Sequence, residues 1–239
     1  MKAHPTALVD SGASVAEDVE VGPFCVVAAG ARIGPGCRLG ARVSIYGSVV
    51  AGRDNLILAG ATLGKPDGGR IEIGDGNVFR EFAHVDAAAG ATTRIGSRNR
   101  FGVWSSVNTG GSIGNDVRLG AYSVVGDHVL VGDGAWIQPQ VVIDPNGRVG
   151  RGCLIRIQMT VFGDVPPYMC FDGNPAAIQS VNPNRRSDPL DRAFEVVYKS
   201  GLSLAEAAKK LLESSPSSPE VAELAEFLKS AKAPEPAFE

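Results

Sequence analysis

From Val9 onward every sixth residue is aliphatic: Val9, Val15, Val21, Val27, Ile33, Leu39, Ile45, Ala51, Ile57 and Leu63. The beat resumes with apolar residues at Ile73, Phe79 and Val85, slips by four residues, and then runs unbroken from Ile95 to Val161. A mostly small residue stands two positions earlier (Ala7, Ala13, Val19, Cys25, Ala31, Cys37), and glycine often follows. An α-helix repeats near 3.6 residues, so it cannot hold this beat on one face. A short strand plus a turn can: the large aliphatic points inward, its strand neighbours point outward, and glycine or a turn residue relieves the corner. Three hexads close one triangular coil, and coils stack about 4.8 Å apart. The pattern predicts an all-β solenoid, a parallel β-helix of about eight coils and about 40 Å.

Two stretches interrupt the beat, Lys65-Pro66-Asp67-Gly68-Gly69 and Ala88-Ala89-Gly90-Ala91-Thr92. Both read as loops leaving the prism, where function or a tolerated insertion is expected. After Val161 the segment Asp164-Val165-Pro166-Pro167-Tyr168 cannot continue a regular strand. The domain reading is a β-helix over 1–170, a connecting segment over 171–186, α-helices over 187–232 and a disordered tail over 233–239. Ser187 or Asp188 caps a first helix with a Leu190, Phe194, Val197 stripe, ended by Gly201. Ser203 and Glu206 form a capping box for a second, with Leu204, Ala208, Leu211 and Leu212 inward. A third carries Val221, Leu224 and Leu228. These helices suit a cap on the open solenoid end, or a surface for ligands or neighbours.

Composition narrows the chemistry. The 239 residues carry 23 Lys+Arg against 26 Asp+Glu, a net charge of −3 that excludes a strongly basic nucleic-acid footprint. No apolar run is long enough for a membrane span, and the opening residues lack a signal-peptide stretch, so a cytoplasmic location is expected. Cys25, Cys37, Cys153 and Cys170 show no CxxC spacing, which argues against a metal site or redox pair. Cys25 and Cys37 fall in the small inward slot as buried thiols.

Val107, Val125 and Ile143 are 18 residues apart, hence on one face of successive coils; Val85 joins them if the slip is a loop. Asp86, Asn108, Thr109, His128 and Asp144 follow these positions closely and are expected to form a column up one prism edge, with His84 outward at its lower end. A column of this kind is also what a solvated edge looks like.

The sequence resembles the hexapeptide-repeat acyltransferases, specifically the acyl-[acyl-carrier-protein]–UDP-N-acetylglucosamine O-acyltransferase family of lipid A synthesis. His4-Pro5-Thr6-Ala7-Leu8-Val9 and Val21-Gly22-Pro23-Phe24-Cys25-Val26-Val27 match its opening coils. Asp164–Tyr168 with Gly173-Asn174-Pro175-Ala176 matches its exit, and Val196–Gly201 its first C-terminal helix. The resemblance implies a left-handed helix, although crossover rules alone favour the right hand. It also implies a homotrimer with sites in the grooves between prisms, a UDP-amino sugar acceptor and an acyl-carrier-protein or coenzyme A thioester as co-substrate, with no other cofactor.

In that family a histidine takes the proton of the sugar 3-hydroxyl, which attacks the thioester, and an aspartate orients it. Here the histidine's position is Thr109 and the aspartate's is Gly110; a threonine hydroxyl is no base without activation. The next coil's histidine is retained as His128, a later one falls on Asp144 and an earlier one on Asp86. The small acyl-length residue is Ile157, which favours a short acyl group. Asn182 matches a nucleotide-region asparagine, and Arg185 and Arg186 match paired arginines near the diphosphate across a deletion of about four residues. Asn108, Gly173 and Asn174 join the substrate-binding candidates. The Lys65–Gly69 loop is shorter than the family's. His128, then His84, is the expected replacement base, with Asp86 or Asp144 as orienter. The alternatives are an inactive nucleotide-sugar-binding or regulatory trimer and a purely structural solenoid.

Overall fold

The computed structural model describes residues 1–173, 176–215 and 217–231. The hexads form a three-sided prism whose faces are parallel sheets. The first face runs from Lys2–Ala3 to Ala177–Val181 in eleven strands, the second from Leu8–Val9 to Thr160–Val161 in nine, and the third from Ser14–Val15 to Arg148–Val149 in eight. The corners are named below by the faces they join. The nine rungs of the second face exceed the expected eight by one.

The aliphatic beat sets the register. Val107 pairs with Val125 and Val125 with Ile143, each a step of 18 residues. Leu63 pairs with Val85 and Val85 with Val107, steps of 22. The four extra residues in each step loop out without disturbing the stack. Beat residues such as Ile45, Leu63, Val107 and Ile143 are fully buried, as are Cys25 and Cys37 in the small slot. In the middle coils that slot holds Asn55, Asn77 and Asn99. Asn55 Oδ1 accepts from the Asn77 backbone N–H, Asn77 Oδ1 from that of Asn99, and Asn99 Oδ1 from that of Val117. Phe79 and Phe101 stack above one another inside, ring centres 4.6 Å apart.

Glycine is not the general corner solution. Among the described residues, fourteen non-glycine residues take φ between 55° and 66°, Phe24, Trp104, Tyr122 and His128 among them, and none of the fourteen is β-branched. The left-handed conformation costs an L-residue about 1–2 kcal/mol. A backbone bond to the preceding coil offsets it, as from Tyr122 N–H to Val103 O and from His128 N–H to Thr109 O.

The exit differs from the sequence expectation. Met169–Asp172 returns to the first face, parallel to Leu154–Ile155, and Ala177–Val181 adds antiparallel to it. A boundary at 170 therefore cuts a strand, and much of 171–186 is sheet. Among the described residues three helices follow: α1 (Asp188–Tyr198), α2 (Leu204–Ser214) and α3 (Pro219–Lys229). Ser187 caps α1, which ends at Tyr198 ahead of Gly201, and the Ser203–Glu206 capping box forms as expected. Ala207 rather than Leu212 completes the buried stripe of α2; Leu212 is exposed. Arg148 fastens α3 to the prism: it pairs with buried Asp164 at 2.7 Å, donates to Ser230 O, and lies 4.4 Å from the Phe227 ring centre. The tail 233–239 and Asn174 lie outside the described residues.

Candidate active site

Both interruptions of the beat leave the prism at one corner, the 2–3 edge. Lys65–Gly69 connects Thr62–Leu63 to Arg70–Ile73, and the Ala88–Ala91 stretch connects His84–Val85 to Thr92–Ile95. They stack on each other, Gly69 N–H donating to Ala87 O and Arg70 N–H to Ala91 O. Asn108, Thr109, His128 and Asp144 occupy the same corner in the following coils. The backbone ladder aligns them: Asp86 N–H donates to Val107 O, Asn108 N–H to Val125 O, and Asp144 N–H to Val161 O. His84 sits on the second face beside this edge, in register with Thr62 and Ser106.

The side chains divide into occupied and free groups. Asp86 is engaged twice, by Lys65 Nζ at 2.9 Å and by the Ala87 N–H at 2.7 Å. Lys65, a partner the sequence reading did not name, thus pins the first loop to the column. Thr109 Oγ1 accepts from the Ala88 N–H at 3.1 Å, holding the second loop. Thr93 donates to Asp86 O at 2.6 Å and accepts from the Gly110 N–H at 3.0 Å. Asn108 Oδ1 accepts from Ser106 Oγ at 3.0 Å. His84 is half-buried, while His128 and Asp144 are exposed. Neither ring nitrogen of His128 has a hydrogen-bond partner among the described residues, so its lone pair is open to a substrate.

The seat of His128 is specific. Its backbone is left-handed, φ 57°, and its ring lies against Gly110 in the preceding coil, with Nδ1 and Cε1 nearest. A Cβ at Gly110 would lie 2.3 Å from His128 Nδ1 and 2.6 Å from Cε1. The residue at the aspartate position is therefore the floor on which the imidazole rests. Asn146, also left-handed, donates its N–H to Asp127 O and so takes the matching corner one coil further.

Other expected site residues lie elsewhere on the chain. Ile157 is exposed on the 1–2 edge. Arg185 lies over the 3–1 edge, its Nη2 3.3 Å from the Cβ position of Gly134. Arg186 pairs with Asp191 at 3.1 Å. Asn182 is 4% exposed; its amide donates to Gly152 O and its Oδ1 accepts from the Asn184 N–H, a structural use of both ends. The Gly173 N–H donates to Asp172 Oδ1. A cleft of about 620 Å³ between the third face and α3 is away from His128.

A family model described as Udp N-acetylglucosamine O-acyltransferase, Domain 2, matches residues 164–234. The acyl-[acyl-carrier-protein]--UDP-N-acetylglucosamine O-acyltransferase of Stenotrophomonas maltophilia (strain R551-3) is 33% identical over 252 residues, 97% of this chain and 96% of the relative. The chain belongs to the acyl-[acyl-carrier-protein]–UDP-N-acetylglucosamine O-acyltransferase family. The enzyme of that name from Syntrophobacter fumaroxidans is 32% identical, covering 97% of this chain and 98% of the relative. Among solved structures, the UDP-N-acetylglucosamine acyltransferase of Campylobacter jejuni superposes with a TM-score of 0.91 at 26% identity, covering all of both chains. That of Bacteroides fragilis gives 0.88 at 25% identity, covering 96% of this chain and 97% of that one. The prism is the left-handed parallel β-helix of this acyltransferase family, with the helical cap at its C-terminal end.

Proposed function

We propose that this protein transfers an acyl group from a carrier-protein or coenzyme A thioester to a hydroxyl of a UDP-amino sugar, as a step of lipid A synthesis, with His128 as base. The observation that carries the reading is the open imidazole seated on Gly110, on the edge where both loops emerge. A neutral His128 nitrogen takes the hydroxyl proton as the sugar oxygen bonds to the thioester carbonyl carbon. The carbon–sulfur bond then breaks, and the departing thiolate takes the proton back from the imidazolium. Thr109 holds the second loop, Lys65 and Asp86 hold the first, and Asp144 stands in the following coil as a carboxylate able to stabilise the imidazolium. Exposed Ile157 narrows an acyl groove and favours a short chain. The names of the relatives favour turnover over a regulatory trimer.

The active form in this reading is a homotrimer. The second face presents no Lys, Arg, Asp or Glu outward on any of its nine strands, from Leu8 to Thr160. The other faces present Arg38, Arg100 and Arg118, or Arg32, Glu72 and Arg94. Bordering the uncharged face, the 1–2 edge exposes Phe24, Phe82, Trp104 and Tyr122, with Phe82 and Trp104 stacked at 4.5 Å. An apolar surface of this extent suits burial against a copy of itself. The nucleotide sugar then lies in the seam, with His128 of one protomer and Arg185 of the next on opposite walls.

Incubating the protein with UDP-N-acetylglucosamine and a series of acyl thioesters tests the activity by product mass. His128→Ala should abolish turnover and keep the trimer; unchanged turnover would remove His128 from the mechanism. Mixed trimers test the seam. Equal amounts of His128→Ala and Arg185→Ala protomers, refolded together and assayed at a nucleotide-sugar concentration where each variant alone turns over slowly, should recover about a quarter of wild-type activity, because sites are shared. No recovery would place each site within one protomer.

A further inference from the structure

A left-handed corner leaves its backbone N–H in need of a partner. At the 2–3 edge His128 and Asn146 use a carbonyl one coil back, Thr109 O and Asp127 O. Gly110, also left-handed at φ +72°, stands above the coil lengthened by four residues. The corner carbonyls of that coil are already engaged. Ala87 O accepts from Gly69 N–H, Ala88 O from Ala91 N–H, and Ala91 O from Arg70 N–H. The Gly110 N–H turns to a side chain instead, Thr93 Oγ1 at 3.0 Å.

Thr93 departs from the pattern around it. Along the third face Ile71 and Val49 fill the same register position in the two coils below. Those two are fully buried, and so is Thr93. A valine would fill the volume, so the hydroxyl is what distinguishes this position, and a buried hydroxyl is costly unless bonded. It is bonded twice. Its O–H donates to Asp86 O at 2.6 Å, which fixes the rotor and leaves a lone pair for the Gly110 N–H.

That N–H belongs to the Thr109–Gly110 peptide, whose other end is Thr109 O. A peptide unit is planar, with N–H and C=O pointing in opposite directions. Thr93 therefore grips one end of the plane while the His128 N–H binds the other at 2.9 Å. The same peptide leads into the Gly110 Cα on which the imidazole rests. One buried hydroxyl thus joins the backbone of Asp86, whose carboxylate holds Lys65, to both supports of His128.

We propose that Thr93 is a positioning residue for His128, its hydroxyl fixing the Thr109–Gly110 peptide from which the imidazole takes its place. This rests on the reading of His128 as base and adds the buried group that sets where the base stands.

Thr93→Val removes the hydroxyl at nearly constant shape, and Thr93→Ser keeps it. A displacement of about 1 Å costs about 100-fold in rate, so a tilt that moves the ring by about half as much costs about tenfold. Thr93→Val should lower kcat about tenfold with KM for the nucleotide sugar within twofold, while Thr93→Ser stays within threefold of wild type in both. Thr93→Ala should follow Thr93→Val and replaces it if that variant does not fold, with circular dichroism as the check. A second readout needs no turnover. The chain has three histidines, His4, His84 and His128, so their imidazole Cε1–H resonances can be assigned by single substitutions. The His128 resonance should move in Thr93→Val and hold its wild-type position in Thr93→Ser, and that of His4, in the first coil, should hold in both. An unmoved His128 resonance with kcat within threefold of wild type in Thr93→Val would overturn the proposal and leave the acyl-transfer reading standing. So would a Thr93→Ser variant as impaired as Thr93→Val, which would assign the loss to the methyl group. If His128→Ala turns over as wild type does, the base reading fails, and the resonance alone decides whether Thr93 places the imidazole.

Discussion

Gly110→Ala asks whether His128 acts from the position its floor gives it. The new Cβ would lie 2.3 Å from His128 Nδ1, whereas ordinary contact begins near 3.4 Å. The ring must therefore withdraw by about 1 Å, since the backbone on both sides is fixed by the coil ladder. A displacement of about 1 Å at a proton-transferring group costs about 100-fold in rate, or about 2.7 kcal/mol of barrier. Stability should suffer less. Gly110 has φ +72°, so alanine pays about 1–2 kcal/mol of left-handed strain, as fourteen other corners already do. The assay is kcat and KM for the nucleotide sugar with one thioester, alongside thermal unfolding. The expected result is a folded trimer with kcat down about 100-fold and KM little changed. Thr109→Ala is the control: it removes one acceptor for the Ala88 N–H and should lower kcat less than tenfold. If Gly110→Ala keeps kcat within threefold of wild type, or the control is equally damaging, the seat does not position the base.

Asn77→Ala should cost about 3–5 kcal/mol, because it strands the buried Asn99 N–H and removes amide bonds to Asn55 Oδ1 and Gly96 O; denaturant unfolding measures it, and a loss under about 1 kcal/mol would contradict the ladder's role. All four cysteines are buried, so Ellman's reagent should label none until the protein unfolds, and fast labelling of the native protein would overturn this. Burial pushes the Cys153 thiol from 9.0 up to about 12. A raised acid favours its neutral form in the folded state, so this contribution is intact below pH 9 and is lost as pH climbs from there toward 12. A pH-independent unfolding midpoint across that window would count against it.

The six-residue beat made the prism legible because one short strand and one turn per hexad keep Val9 through Val161 on a common interior; its hand was not legible from the beat. The corners were less legible than the prism. Phe24, Trp104 and His128 sit in left-handed backbone that a reading by residue type assigns to glycine. What allows them is a bond to the coil behind, a partner 18 or more positions away. The strand at Met169–Asp172 escaped for a related reason. Nothing in its own letters repeats the beat, and it forms because the exit turn lays it beside Leu154–Ile155. Leu212 follows the apolar residues of α2 in sequence yet faces solvent, because the buried side of the helix runs through Ala207, Ala208 and Leu211.

The column at the 2–3 edge was readable from spacing, since coils of 18 residues, or 22 where a loop is added, convert sequence intervals into vertical neighbours. Its chemistry was not, because the deciding contact joins residues in successive coils. Read along the chain, Thr109 and Gly110 look like a subtraction, with a base and its orienter replaced by a hydroxyl and nothing. Read across the coils, Gly110 is what lets the His128 ring lie at their level: any side chain there would occupy the space the imidazole now fills. A glycine at 110 and a histidine at 128 are thus one feature. If the coil register moves the base's position by one turn, the acid that orients it must move too. That points past the Lys65-bound Asp86 to Asp144, the column's exposed carboxylate in the coil after His128.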